Sequence, residues 1–297
     1  MRLSKLRTSS GVLLAVRRDG HFDSLGLISH NMPRQLVYVE SSQHAALLPA
    51  KKNIACAITS PKLARLVPKW MGLAVSKDPK RAFYETHNYL AKHTAFYGKS
   101  FTTEIAADAR IHKTAFIEEK NVRIGRRCEV GSNVSVLEGS ILEDDVTLRA
   151  GVVVGSEGFQ FMRFGQEVLP IVHAGGVLIH RGVELQANCS VSKSVFGGFT
   201  EIGEYSKLDN LVHVAHNCKI GNRCLIAACA MIAGSARIGD DVWIGPSASI
   251  SSEITVGDGA SVTLGSVVTK DVPPGKRVTG NFAIDHEKFI SFLKKIS

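Results

Sequence analysis

No apolar run in the 297-residue chain approaches the ~20 residues needed to cross a bilayer, so no membrane span is expected. The longest early candidate, GVLLAV at 11–16, is followed at once by Arg17 and Arg18, which also argues against a secretory leader. Cysteine is scarce and never closely paired: the 6 cysteines include no CxxC, so neither a zinc site nor a disulfide framework is signalled. Acid is missing from the start of the chain. MRLSKLRTSSGVLLAVRR holds five Lys/Arg and four Ser/Thr, with no Asp or Glu before Asp19. That is the make-up of an organellar transit peptide over residues 1–18, and a mitochondrion, with a plastid as the alternative, is the expected destination. Setting these residues aside takes Lys+Arg from 36 to 31 against 27 acids, and the charge from +9 to +4. Such mild basicity suits an anionic ligand or an acidic partner and gives no reason to expect nucleic-acid binding. The composition of the full chain, 44% hydrophobic and 21% charged, is that of a globular protein long enough for one large domain and a smaller one.

What is present in abundance is a period of six. An aliphatic residue returns at Ile202, Leu208, Val214, Ile220, Ile226, Ile232, Ile238, Ile244, Ile250, Val256, Val262 and Val268 without a slip. Four positions after each stands a small or modest residue, such as Ser206, Cys218, Ala230, Ala236 or Ala248. A helix would repeat near 3.6 and a simple strand at 2, so neither alone accounts for six. A parallel β-helix does: each hexad is a short strand plus a turn, three hexads close one coil, and the aliphatic points inward on every face. The same phase runs through Ile105, Ile111 and Ile117, then from Ile124 to Val154, and again at Ile179, Leu185 and Val191. Two interruptions, 156–178 and 197–201 (GGFTE), are expected to be corner loops. Cys128, Cys189, Cys218 and Cys224 occupy the small position, where a thiol packs as a compact hydrophobe.

The flanks lack this period. Residues 19–100 are expected to form a small α/β domain, with strands at QLVYVE and NIACAIT and an amphipathic helix over DPKRAFYETHNYLAKH, where Ala82, Tyr84 and Tyr89 are apolar members. VPPGK at 272–276 is expected to end the solenoid, since paired prolines cannot continue a ladder. Beyond it, Phe289, Phe292, Leu293 and Ile296 recur at helical spacing, so residues 276–297 should end in a short helix with Lys288, Lys294 and Lys295 on its other face. The fold expected is therefore mainly β: a left-handed parallel β-helix over 101–275, a small N-terminal α/β domain and a short C-terminal helix.

Between Ile202 and Val272 only His213 and His216 are histidines. In the six-residue frame His216 falls two positions after inward Val214, at an outward-facing corner, and His213 falls one position before it. Asp209, one hexad earlier, is a carboxylate that could orient an imidazole. Gly234 lies eighteen residues after His216, one full coil and about 4.8 Å along the stack. Its N–H could approach a substrate carbonyl as an oxyanion donor. Neutral imidazole is a general base suited to neutral pH. Base plus oxyanion donor, with no nucleophilic Ser or Cys evident, points to direct acyl transfer onto an amine or hydroxyl, with no cofactor and no metal.

The motifs KLDNLVHVAHNCKIG, VVVGSEGFQF, YVESSQHAALL and DPKRAFYETHNYLA together resemble the UDP-3-O-acylglucosamine N-acyltransferases of lipid A synthesis, over roughly residues 35–297. The resemblance implies a homotrimer with sites between neighbouring subunits, acyl carrier protein as the partner whose phosphopantetheine carries the acyl donor, and a UDP-sugar acceptor. It places the catalytic base on His216 and the oxyanion glycine on Gly234, with substrate contacts at His213, Asn217 and Phe159. It places uridine contacts on Tyr38, Ser41 and His44 of the first domain. The chain departs from the family pattern at three places: Ser192 and Lys193 stand in place of an Asp–Arg pair, His213 in place of Gln, and TGNFA lacks the usual proline.

Other readings compete. The sister O-acyltransferase acting on UDP-N-acetylglucosamine shares the HVAHNC form, but its solenoid starts at the N-terminus, whereas about 100 residues precede the repeat here. A γ-type carbonic anhydrase would require three histidines per zinc, and His213 and His216 are only three apart. A non-catalytic trimeric scaffold is the third.

Overall fold

The computed structural model describes residues 1–297 apart from 7, 9–13, 99, 281–284 and 297, with side chains described at all of these but 289, 293 and 296. The chain divides into two compact units. The first comprises Met1–Phe101, Glu157–Gly176 and Lys193–Phe199; the second comprises Thr102–Ser156, Val177–Ser192 and Thr200–Ser297.

In the second unit the period of six becomes three parallel sheets of nine, eight and eight strands, with each strand paired to the one a coil away. The coil is left-handed, and the fold is the parallel β-helix the repeat predicts. Every inward aliphatic from Ile202 to Val268 is at most 6% exposed. Each such burial contributes about 2 kcal/mol against the entropy of ordering so short a strand. The four core-position thiols are fully buried among them, as expected of compact hydrophobes. Corners have a period of their own. Every sixth residue from Tyr205 to Glu253 is left-handed, with φ between +54° and +63°, and none of the nine is glycine.

Two boundaries differ from expectation. Ile105, predicted to face inward, is 46% exposed, because its coil is the first and lacks a neighbour on one side. VPPGK does not end the ladder: Arg277–Val278 still pairs in parallel with Ser261–Val262. The prolines sit in the turn before that strand, where no ladder N–H is required of them. The C-terminal helix α3 spans His286–Ile296 with Lys288, Lys294 and Lys295 exposed. Of its expected apolar stripe Phe292 is 54% exposed, and the side chains of Phe289, Leu293 and Ile296 lie outside the described residues.

The first unit is a five-stranded sheet of β1 (Ala15–Arg18), β2 (Ser24–Leu25), β3 (Gln35–Val39), β4 (Ile54–Thr59) and β5 (Gly72–Val75), in the order β1-β5-β4-β3-β2. Helices α1 (Ser42–Leu47) and α2 (Pro79–His93) follow β3 and β5. Its start corrects the expected boundary at residue 19. β1 pairs antiparallel with β5, Leu3 is 1% exposed, and the Met1 ammonium donates to the Phe22 carbonyl at 2.8 Å. Asp19 accepts from the Ser4 N–H and hydroxyl at 3.0 and 2.9 Å, bonds that hold its carboxyl down at about 2. Leu3 thus belongs to the core of the first unit and Ala15–Arg18 to its sheet.

Helix α2 is not amphipathic in the expected sense. Asp78 caps its Arg81 N–H, and every residue from Ala82 to Asn88 is buried. Its second side is covered by two segments that sequence distance conceals. The insertion is a hairpin of strands Phe161–Phe164 and Glu167–Pro170, turning at Gly165 with φ +61°. Asn88 donates to the Pro170 carbonyl at 2.8 Å and accepts the Val172 N–H at 3.0 Å, while His87 Nε2 meets the Val172 carbonyl at 2.7 Å. Phe196, from the segment 193–199, packs on Phe83, Tyr84 and His87.

Candidate functional site

Strand His213–Val214 lies in register between Ser190–Val191 and Met231–Ile232. Val214 points into the core, so alternation turns His213 outward, beside Ser190 and Met231 on the same face. His216 follows at the corner, half-buried, and Asn217 takes the left-handed corner position at φ +62°. Asparagine tolerates that conformation better than most residues, which suits it to this turn.

The coil above presents Gly234. Ser235 N–H donates to the His216 carbonyl at 2.9 Å, which fixes the two corners to one another. A β-carbon on Gly234 would stand 2.6 Å from Cε1 and 2.8 Å from Nε2 of His216. The ring therefore lies directly over this glycine, at a distance no other residue permits. The Gly234 N–H has no acceptor among the described residues. One corner thus brings together a basic ring nitrogen and a backbone donor.

Burial, more than any partner, sets the protonation of both histidines. Desolvation lowers the His216 pKa, the bond with Asn217 raises it in part, and proximity to His213 lowers it again. Desolvation lowers His213 as well. Both are thus neutral at neutral pH, the form in which an imidazole accepts a proton. Cys218, two residues on, is no competitor as a nucleophile. It is fully buried, its thiol donates to the Ala233 carbonyl at 3.1 Å, and burial pushes its pKa up to about 12.

One expected contact is replaced. Asp209 accepts from the N–H and side-chain amide of Asn210, at 2.7 and 2.8 Å, and so caps its own corner. The ring of His216 instead meets Asn217 Oδ1, 3.0 Å from Nδ1. Asn217 itself donates its backbone N–H to the Thr200 hydroxyl at 2.8 Å, and Thr200 is fully buried. Thr200 had no signal in the sequence beyond its place at the end of the GGFTE interruption.

The remaining candidates belong to the first unit. Tyr38 sits on β3, half-buried, with its ring 5.1 Å from Phe83 and 5.8 Å from Tyr84. Ser41 is the N-cap of α1, its hydroxyl accepting from the His44 N–H at 3.1 Å, which accounts for Ser41 structurally; the His44 side chain is exposed. Phe159 is 89% exposed and packs edge-on against Phe161 at 5.0 Å. Among the described residues no three His, Cys, Asp or Glu side chains converge as a metal cluster would.

Residues 199–234 match the bacterial transferase hexapeptide family (six repeats), and residues 121–156 and 235–270 match the hexapeptide repeat of succinyl-transferase. The chain is 29% identical to UDP-3-O-acylglucosamine N-acyltransferase of Helicobacter pylori, across 77% of this chain and 73% of that protein. With UDP-3-O-acylglucosamine N-acyltransferase 2 of Legionella pneumophila the identity is 32%, across 99% of this chain and 93% of that one. A solved UDP-N-acetylglucosamine acyltransferase from Campylobacter jejuni superposes with a TM-score of 0.51 at 19% identity, over 66% of this chain and 81% of that one, a likeness of fold.

Proposed function

The chain belongs to the UDP-3-O-acylglucosamine N-acyltransferase family, and on that premise we propose that it moves a 3-hydroxyacyl chain from acyl carrier protein to the 2-amine of UDP-3-O-acylglucosamine in lipid A-type synthesis. The observation that carries the chemistry is the His216 ring lying over Gly234. The amine attacks the thioester carbonyl as His216 Nε2 takes its proton, and the Gly234 N–H donates to the oxyanion that forms. The C–S bond then breaks, and the pantetheine sulfur leaves with the proton held by the imidazolium. No covalent enzyme intermediate is needed, which fits the inert buried thiol of Cys218. Outward Met231 beside His213 offers apolar surface to an acyl chain. In the first unit, the half-buried Tyr38 ring is the group suited to stack on a uracil base. A homotrimer with sites between subunits is part of this proposal.

The test is acyl transfer from acyl carrier protein to UDP-3-O-acylglucosamine, with UDP-N-acetylglucosamine as the competing acceptor. Amide product from the first alone supports the reading; ester product from the second assigns the chain to the sister reaction. Absence of both leaves the scaffold reading. On the acid side, kcat/KM should fall as pH drops through a pKa below 6.5, because a depressed His216 stays neutral until then.

We propose mitochondrial delivery, with a plastid as the alternative, from the composition of residues 1–18 alone. Since Leu3 and β1 are packed into the sheet, the mature protein should keep them. N-terminal sequencing of protein recovered from the organelle checks this, and a mature start beyond residue 3 overturns it.

A further inference from the structure

At the corresponding corners of the next two coils, the left-handed residue donates its N–H to a backbone carbonyl one coil back: Ser235 to His216, and Glu253 to Gly234. Asn217 does not. Its N–H donates to the Thr200 side chain, as the corner residues Arg127 and Asn133 do to the side chains of Asp108 and Thr114 in earlier coils. Thr200 is fully buried, so its hydroxyl is held in a single place. The Asn217 side chain in turn lies with Oδ1 3.0 Å from His216 Nδ1. A carbonyl oxygen can only accept, so that contact requires a proton on Nδ1. An imidazole with its proton on Nδ1 carries its lone pair on Nε2, the atom 2.8 Å from where a Gly234 β-carbon would be.

We propose that Thr200 and Asn217 are positioning residues that lock His216 in the Nδ1–H tautomer, so that Nε2 is the basic atom facing Gly234. This rests on the acyl-transfer reading for its purpose, and stands apart from it as a statement about the ring. Neither residue touches the reacting atoms; both act through His216. The irregular stretch GGFTE, an apparent lapse in the repeat, is on this view what supplies the hydroxyl that holds this corner.

The experiment is nitrogen-resolved NMR of the full chain labelled at histidine, with the His216 signals identified by their loss in His216→Gln. In the wild type, Nδ1 should read as protonated and Nε2 as the pyridine-type nitrogen; the reverse overturns the proposal. Asn217→Gly keeps the left-handed turn while deleting the amide. It should mix the tautomers and lower kcat about 10- to 100-fold with KM little changed. An unchanged tautomer in this variant also overturns the proposal. Asn217→Asp keeps the acceptor and adds a charge that favours the imidazolium, so it should hold the tautomer while moving the acid limb of the pH profile upward. Thr200→Val should loosen the lock and Thr200→Ser restore it; equal tautomer mixtures in both overturn the role of Thr200. A wild type with the Nδ1–H tautomer but no acyl transfer supports the lock and overturns only the function.

Discussion

The two units bury different chemistry. In the second, every buried polar side chain among the described residues is a serine or threonine hydroxyl: Ser140, Ser192, Thr200, Ser206 and Ser266. In the first, the interior also holds Gln35, Glu85, His87, Asn88 and His173. A periodic coil satisfies its backbone by stacking and its core by aliphatics, so it needs no buried charge. An aperiodic unit joined from three pieces of chain uses polar side chains to tie those pieces together. Titration should therefore govern stability in the first unit and catalysis in the second.

The largest expected break in that division is chemical. His216→Ala should lower kcat/KM by about 10³-fold while leaving Tm nearly unchanged, because the ring sits at a corner outside the core. Retention of activity within tenfold would remove His216 as the base.

Next comes the acid response of the first unit. Burial lowers His87 from 6.5 to about 4, with the Val172 carbonyl only partly opposing it. Above about 6.5 both folded and unfolded chains hold it neutral, and the stabilisation is complete. As pH falls from 6.5 to 4 the unfolded chain takes a proton that the folded one refuses, and stability declines by about 3 kcal/mol. The 2 tryptophans divide the measurement, Trp70 in the first unit and Trp243 in the second. Urea titrations of Trp243→Phe should show this loss, and those of Trp70→Phe should show much less. Equal acid sensitivity at both probes would erase the comparison.

Gly234→Ala should lower kcat about 10²-fold, since its β-carbon must push the ring aside from the oxyanion donor. Tm is the control: a fall of many degrees would mean that the coil, not the site, had been damaged. Asp209→Asn should have the smallest effect, about threefold or less in kcat, because the carboxylate is engaged with Asn210. A loss comparable with that of His216→Ala would return Asp209 to the ring.

The same division explains what could be read in advance. The solenoid was legible because each inward position from Ile202 to Val268 repeats one local rule, and every one is buried. The meeting of His216 with Gly234 was legible because eighteen residues make one coil. Asn217 and Thr200 were not legible as a pair, since an irregular excursion breaks the count between them. The covering of α2 was hidden for a related reason: Asn88 bonds to Pro170, 82 positions away, and no local pattern marks such a partnership. Pro273 and Pro274 misled because a turn hides a proline that a strand would expose.

The threading of the first unit sets an order of assembly during synthesis. Its sheet leaves the ribosome first, yet the hairpin at 157–176 and the segment 193–199 emerge only after several coils of the solenoid have been made. Until then the buried side of α2 around His87 and Asn88 has no cover, and polar groups meant for Val172 and Pro170 must stay hydrated. Amino-terminal domains commonly fold first on a growing chain. Here the amino-terminal unit is begun first and closed only after coils of its successor, so a nascent chain arrested before residue 157 should leave α2 open to protease, and one released beyond residue 199 should protect it.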